Sequence, residues 1–279
     1  MINIAIPVAE KPDAVIHLDG VAMRLGSHSL GPFTLSVTAG ERIAILGPSG
    51  AGKSSLQRLL SGEAKPATGQ MVFKGRPLAA WGLPALSRHR AVLPQSTEVA
   101  FGLLTDLVLG LGRVARLHDP RLPEIVAAAA ALAHAAHLLG RRFDTLSGGE
   151  RARVQLARVF AQLWDVRDGL ILVDEPLAAL DPGLQCDLLD SLDAYATTRN
   201  HALIAILHDI NQALHGFDRL LLVKDGKLQG DLPASRQAVP ALELLYGIPL
   251  GCVTDAQGAL LVSPLRRSAR WPAAQRAMA

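Results

Sequence analysis

Several short runs along the chain are apolar at every position, and others show the spacing of a half-buried helix. The runs Arg42 to Leu46, Ala91 to Leu93, Leu170 to Val173, Ala202 to Leu207 and Arg219 to Val223 read as strands. Leu170-Ile171-Leu172-Val173 and Leu203-Ile204-Ala205-Ile206-Leu207 lack any polar alternation. That is the pattern of central parallel strands covered by helices on both faces. Between Gln95 and Gly148 strand signals stop and helices are predicted instead, over Thr105 to Leu111 and Pro123 to Leu139, the second with proline in its first turn. After Gly230 the pattern thins to a helix around Pro240 to Tyr246 and a short strand pair near Cys252 to Val262. Alternating strands and helices predict an α/β sheet, with function at the C-terminal ends of its strands.

Composition narrows the class. The 279 residues, 49% hydrophobic and 19% charged, suffice for one substantial core. Cys186 and Cys252 form neither a CxxC pair nor a Cys/His cluster, which fits a reducing compartment and suggests no disulfide framework or zinc site. His134 and His137 are spaced as a ligand pair could be, but no third ligand is visible. A formal charge of +3 with scattered arginines argues against a nucleic-acid-binding arm, so no nucleic-acid partner is expected. The apolar stretch Ile125 to Leu139 is shorter than the ~20 residues that span a bilayer. The opening residues Met1 to Pro7 lack the features of a secretory signal, and the protein is expected to stay inside the cell.

The sharpest chemistry lies in Gly47-Pro48-Ser49-Gly50-Ala51-Gly52-Lys53-Ser54, between the strand ending at Leu46 and a helix predicted from Lys53 to near Leu60. Glycines let the backbone turn tightly and aim its N–H groups inward, toward the phosphates of a nucleoside triphosphate. Lys53 adds a positive charge for the β and γ phosphates, the Ser54 hydroxyl suits Mg²⁺, and Ser55 offers a second hydroxyl. A glycine-rich turn with an incidental lysine is the competing explanation, and the strand and helix on either side weigh against it. The strand Leu170 to Val173 runs into Asp174-Glu175. Alternation sends the two carboxylates to opposite sides, so that Asp174 can hold Mg²⁺ while Glu175 polarises an attacking water. Acid pairs at strand ends also occur as helix caps.

Leu146-Ser147-Gly148-Gly149-Glu150 stands just before a predicted helix, Arg151 to Leu163. Placed between a phosphate loop and an apolar strand ending in Asp-Glu, it resembles the signature of the ABC ATPases. The resemblance covers roughly residues 17 to 264 and implies a P-loop NTPase (RecA-like) core with a helical ABC subdomain inserted after the glutamine loop. On that reading residues 1–279 form a single ABC ATPase domain, with a helical subdomain at about 96–150 and a short C-terminal extension at about 231–279. The resemblance further implies ATP and Mg²⁺ as cofactors and a head-to-tail dimer with a second copy of the chain. In that dimer Ser147, Gly148 and Gly149 of one copy close over nucleotide held by the other. By position, Gln95 matches the glutamine loop at the metal and water, His208 the switch histidine at the γ phosphate, and Asp181 the loop coupling the two sites.

Two departures stand out. The aromatic residue expected against adenine, about two dozen residues before Gly47, is replaced by Met23-Arg24-Leu25-Gly26, and Leu177-Ala178 replace hydroxyl residues after Glu175-Pro176. Within the family, Arg90 to Gln95, Leu111-Gly112-Arg113, Arg153 to Arg158, Leu207 to Asn211 and Leu245 to Pro249 look like the haem, siderophore and cobalamin importer group, with the haem branch closest. Such a resemblance implies an ATPase subunit at the cytoplasmic face of the bacterial inner membrane. Its implied partners are two transmembrane permease subunits and, indirectly, a periplasmic substrate-binding protein.

Overall fold

The computed structural model describes residues 14–26, 28–94, 102–116, 118–174, 180–256 and 258–265. Its first half contains β1 (Ala14–Leu25), β2 (His28–Thr38), β3 (Arg42–Leu46), α1 (Lys53–Leu60), β4 (Thr68–Phe73), β5 (Arg76–Pro77), α2 (Leu83–Ser87), β6 (Arg90–Leu93), α3 (Thr105–Gly110) and α4 (Leu122–Leu132). There follow α5 (Gly148–Gln162), β7 (Leu170–Asp174), α6 (Pro182–Thr198), β8 (Ala202–Ile206), α7 (Ile210–Gly216), β9 (Arg219–Lys224), β10 (Lys227–Pro233), α8 (Val239–Tyr246), β11 (Leu250–Thr254) and β12 (Leu260–Pro264).

The fully apolar runs become the centre of a six-stranded sheet in the order β10-β9-β3-β8-β7-β6. Strands β9, β3, β8, β7 and β6 are parallel, and β10 closes one edge antiparallel to β9. Alternate side chains serve two cores, as strand geometry requires. Ala44, Leu46, Ile171, Val173, Leu203 and Ala205 face the helices that include α3 to α8. Ile43, Ile45, Leu170, Leu172, Ile204 and Ile206 face α1 and a second, antiparallel sheet, β2-β1-β4-β5.

That second sheet escapes the sequence pattern. Pairing between β1 and its neighbours shifts register near Asp19 and Gly20, where Gly20 has φ 57°. A bulge of this kind moves the apolar set from one parity to the other, from Ile16 and Leu18 to Val21 and Met23, and erases a continuous alternation. The predicted helix Pro123 to Leu139 is also shortened. It starts at Leu122 with proline in the first turn, but ends at Leu132. His134 takes a left-handed φ of 52°, Ala135 N–H donates to Ala130 O at 2.7 Å, and Arg153 donates to His134 O at 3.3 Å. The alanine run carries no local breaker, so this stop is set by tertiary contact.

One ion-pair cluster ties the sheet together at the start of β9. Arg219 meets Glu41 at 2.7 Å and Asp231 at 2.5 Å, and donates to Ser36 O at 2.9 Å. All three charged side chains are only 16% exposed. Burial pushes the Glu41 carboxyl up, but hydrogen bonds from Thr38 and Arg219 outweigh it and hold the group below its usual range. Removing one partner strands buried charge, so Arg219→Met should cost about 3–5 kcal/mol, read as a lowered denaturation midpoint. Because the Glu41 pKa is depressed by folding, its share of stability is complete above the ordinary carboxylate range and fades as pH falls through the lowered value. A wild-type midpoint in Arg219→Met would contradict this account.

Candidate functional site

Parallel pairing fixes which residues share an edge. Asp174 of β7 lies opposite Ile206 of β8, and Ile206 lies opposite Ile45 of β3. Two residues beyond Ile206 is His208, and two beyond Ile45 is Gly47. Neighbouring strands stand roughly 4.8 Å apart, so Asp174, His208 and the glycine loop leave the sheet side by side. On the far side of β7, β6 pairs Leu93 with Val173, so β6 ends at the same edge. Gln95 and Glu175 themselves, like Leu177 and Ala178, lie outside the described residues.

The loop Gly47 to Ser54 is held by close backbone approach. A Cβ on Gly47 would sit 2.1 Å from Val223 O, and one on Gly52 would sit 2.5 Å from Leu30 Cδ2. Gly52, at φ 99°, is in a conformation open to glycine. Beneath the loop is the Asp225-Gly226 turn between β9 and β10, both residues at positive φ, as in a two-residue hairpin. Gly226 N–H donates to Ala51 O at 2.9 Å, and Gly31 N–H donates to Gly226 O at 2.7 Å. Lys53 is 7% exposed and folds back over the loop, donating to Gly47 O at 2.8 Å and Pro48 O at 3.1 Å. Pro48 and Ser55 are half-buried, Ala51 is buried, and Ser49, Gly50 and Ser54 are exposed.

Helix starts differ in how they are capped. Ser147 caps α5 in a reciprocal box with Glu150, at 3.3 and 2.8 Å. Asp181 caps α6 by accepting from Leu184 N–H at 3.0 Å, and Asp209 caps α7 by accepting from Asn211 N–H at 2.7 Å and Gln212 N–H at 3.2 Å. No side chain caps α1 among the described residues. Its first N–H groups point toward the glycine loop, where an anion would take the place of a cap. Gly148 is exposed, while a Cβ on Gly149 would meet Leu180 at 2.9 Å, so the Ser147 turn and the Asp181 turn are neighbours. His208 is exposed beside the Asp209 cap.

One residue at this edge was given no role in the sequence reading. Tyr246, the last residue of α8, is half-buried beside the loop. Burial pushes its phenol up, while a hydrogen bond with the backbone of Gly47 acts in the opposite direction. The tyrosine is visible in Leu245-Tyr246-Gly247, but no motif connects it with a loop some two hundred residues earlier.

A glycine loop seated under its own lysine, between a parallel strand and an uncapped helix, defines the P-loop nucleoside triphosphatase class. The ABC transporter family model matches residues 30–178, and the chain belongs to the ABC transporter family, as an ATPase component of it. It is 39% identical to the Hemin import ATP-binding protein HmuV of Methylobacillus flagellatus, over 91% of this chain and 96% of that protein. It is 41% identical to the protein of the same name from Pseudomonas entomophila, over 84% of this chain and 93% of that one. Among solved structures, the ADP conformation of MJ1267, an ATP-binding cassette of an ABC transporter, shares the fold with a TM-score of 0.71 at 19% identity, over 84% of this chain and 97% of that one. CbiO1 from Clostridium perfringens, part of the ABC transporter complex cbiONQ, gives 0.68 at 22% identity, over 83% and 95%.

Arg24 and Leu25 lie at the tip of the β1–β2 hairpin, where Leu25 pairs with His28 and is 48% exposed. Leu30 of the same hairpin packs against Gly52, so this tip is next to the loop. With no aromatic ring in the segment Met23 to Gly26, GTP should compete with ATP within about tenfold; strict preference for ATP in a competition assay would contradict it. Gly47→Ala should weaken nucleotide binding by at least about tenfold, equivalent to ~1.4 kcal/mol, with a folded circular dichroism spectrum. Unchanged affinity would show that the Val223 contact does not set the loop.

Proposed function

We propose that this chain is the ATP-binding and ATP-hydrolysing subunit of a bacterial ABC importer, coupling hydrolysis to uptake of haem. The observation that carries the reading is identity of 39–41% to hemin-import ATP-binding proteins across most of the chain, joined to the shared sheet edge of Gly47, Asp174 and His208. Cobalamin or a ferric siderophore is the alternative cargo, since an ATPase of this kind need not touch what is carried.

The residues suit ATP and Mg²⁺. Close packing at Gly47 and Gly52 leaves a cradle bounded by backbone, and Lys53 supplies its cation. Ser54, Asp174 and Gln95 are the oxygen donors for Mg²⁺, which would neutralise phosphate charge. Ser49, Gly50, Ala51 and Gly52 offer backbone N–H groups to the phosphates, and Ser55 a second hydroxyl. Glu175 orients and deprotonates water, and His208 donates to the terminal phosphate. Ser147, Gly148 and Gly149 of a second copy complete the site, with Asp181 at the junction.

The permease partner has a surface to meet. Leu104, Leu107, Leu111 and Val114, on and around α3, are exposed at near-helical spacing, Val114 by 74%. Among the described residues no helix is long and apolar enough to cross a membrane, so attachment to the cytoplasmic face of the inner membrane would run through two permease subunits. A periplasmic substrate-binding protein would act on the far side.

Glu175→Gln should keep ATP affinity while losing about 10²- to 10⁴-fold in turnover, and should dimerise with ATP during size-exclusion chromatography. Near-normal hydrolysis in that variant would remove Glu175 from its role, and a strictly monomeric elution would contradict the two-copy site. With the permease in vesicles, haem-loaded binding protein should stimulate ATPase activity; stimulation by the cobalamin- or siderophore-loaded form alone would reassign the cargo.

A further inference from the structure

α8 packs against β9, which backs the glycine loop, and β12 packs against α7, which follows His208. At one end, α8 lies on β9, with Lys224 donating to Leu244 O at 3.4 Å, and Val223 of that strand backs Gly47, whose Cβ would sit 2.1 Å from Val223 O. Glu243 of α8 then accepts from Leu250 N–H at 2.7 Å, fixing the start of β11, and Leu265 N–H donates to Pro249 O at 3.0 Å. At the other end, β12 docks on α7. The Asn211 side chain donates to Val262 O at 3.1 Å and accepts from Val262 N–H at 2.8 Å. His215, one turn further on, donates from Nε2 to Leu260 O at 2.7 Å.

The Asn211 contact is a strand pairing made by a side chain. A carboxamide presents one donor side and one acceptor side, as a backbone peptide does, and both backbone groups of Val262 are matched by it. Val262 is 5% exposed, so leaving those groups unpaired would be costly. Asn211 is three residues past His208, and its own N–H is held by the Asp209 cap. His208, the cap and the hairpin are therefore linked through a few short bonds, while α8, at the opposite end, rests on β9, the strand that backs Gly47.

We propose that α8 and the β11 and β12 strands form a brace that sets the position of His208 relative to the phosphate loop, with Asn211 as the positioning residue. This rests on the reading of His208 as the group at the terminal phosphate. A stabilising hairpin alone would affect the melting temperature and nothing specific to turnover. A brace makes the contributions of Asn211 and His208 interdependent.

Three variants of the full chain test it: Asn211→Ala, Val262→Pro and His208→Ala, with the Asn211→Ala/His208→Ala double. Val262→Pro removes the N–H that Asn211 accepts while leaving Asn211 intact. The expected result is a fall in kcat of about tenfold for the first two, from misplacement of a reacting group. ATP affinity, measured in the Glu175→Gln background, should stay within about twofold of the parent, well under the ~1.4 kcal/mol of a tenfold change. The double variant should be no slower than His208→Ala alone. Wild-type turnover in Asn211→Ala, or losses that multiply in the double variant, overturns the brace while a slow His208→Ala leaves the site reading standing. Full turnover in His208→Ala overturns the site reading, and the brace with it. If Asn211→Ala does not fold, Val262→Pro and its combination with His208→Ala decide the matter by the same comparison.

Discussion

The common register of β3, β8 and β7 is the constraint on which the site depends. Ile45, Ile206 and Asp174 stand in one row across the sheet, and Gly47 and His208 follow within two residues of it. Parallel strands can hold such a row only when both faces are covered, because the backbone bonds between them need protection from water and their side chains have no solvent face. That requirement explains why β3, β7 and β8 are apolar at successive positions and why two separate cores flank one sheet. A one-residue slip would exchange the two sets of side chains and move the glycine loop past Asp174 by about 3.3 Å. Placement at the edge is thus enforced by burial far from it.

Much of this was open to reading because the parallel strands and the glycine loop are specified locally. The strand runs need no partner to be recognised, and the loop is marked by glycines that backbone contacts at Val223 and Leu30 require. The helix α1 was likewise bounded by its own sequence, from Lys53 to Leu60. What stayed hidden depends on distant parts of the chain. The antiparallel sheet is disguised by the shift at Gly20, and α4 stops where Arg153 holds His134. α6 carries a stripe of Leu184, Leu188, Leu192 and Tyr195, a helical signal that is legible in the sequence. The Asn211 contact with Val262 is not legible in this way, since it joins residues far apart in sequence through bonds to backbone.

The helix starts around the site show how one local device can serve opposite ends. Ser147, Asp181 and Asp209 each supply an oxygen to the first turn of α5, α6 and α7, and each helix is therefore complete before anything binds. Capping explains those residues on stability alone, and a further role for them must come from what a second copy or a nucleotide would touch. Of the four helices at this edge α1 alone has no side-chain cap among the described residues, a lack it shares with α2, α3, α4 and α8 elsewhere. Gly52 brings no side chain to its first turn, and its φ of 99° bars most residues that could. A helix start without a cap leaves its first N–H groups to water or to an acceptor from elsewhere. Here the lysine that opens α1 reaches back to Gly47 O and Pro48 O rather than outward. Its cation stays beside the uncapped turn, so positive charge and the first N–H groups of α1 are concentrated at one point, an arrangement suited to an anion.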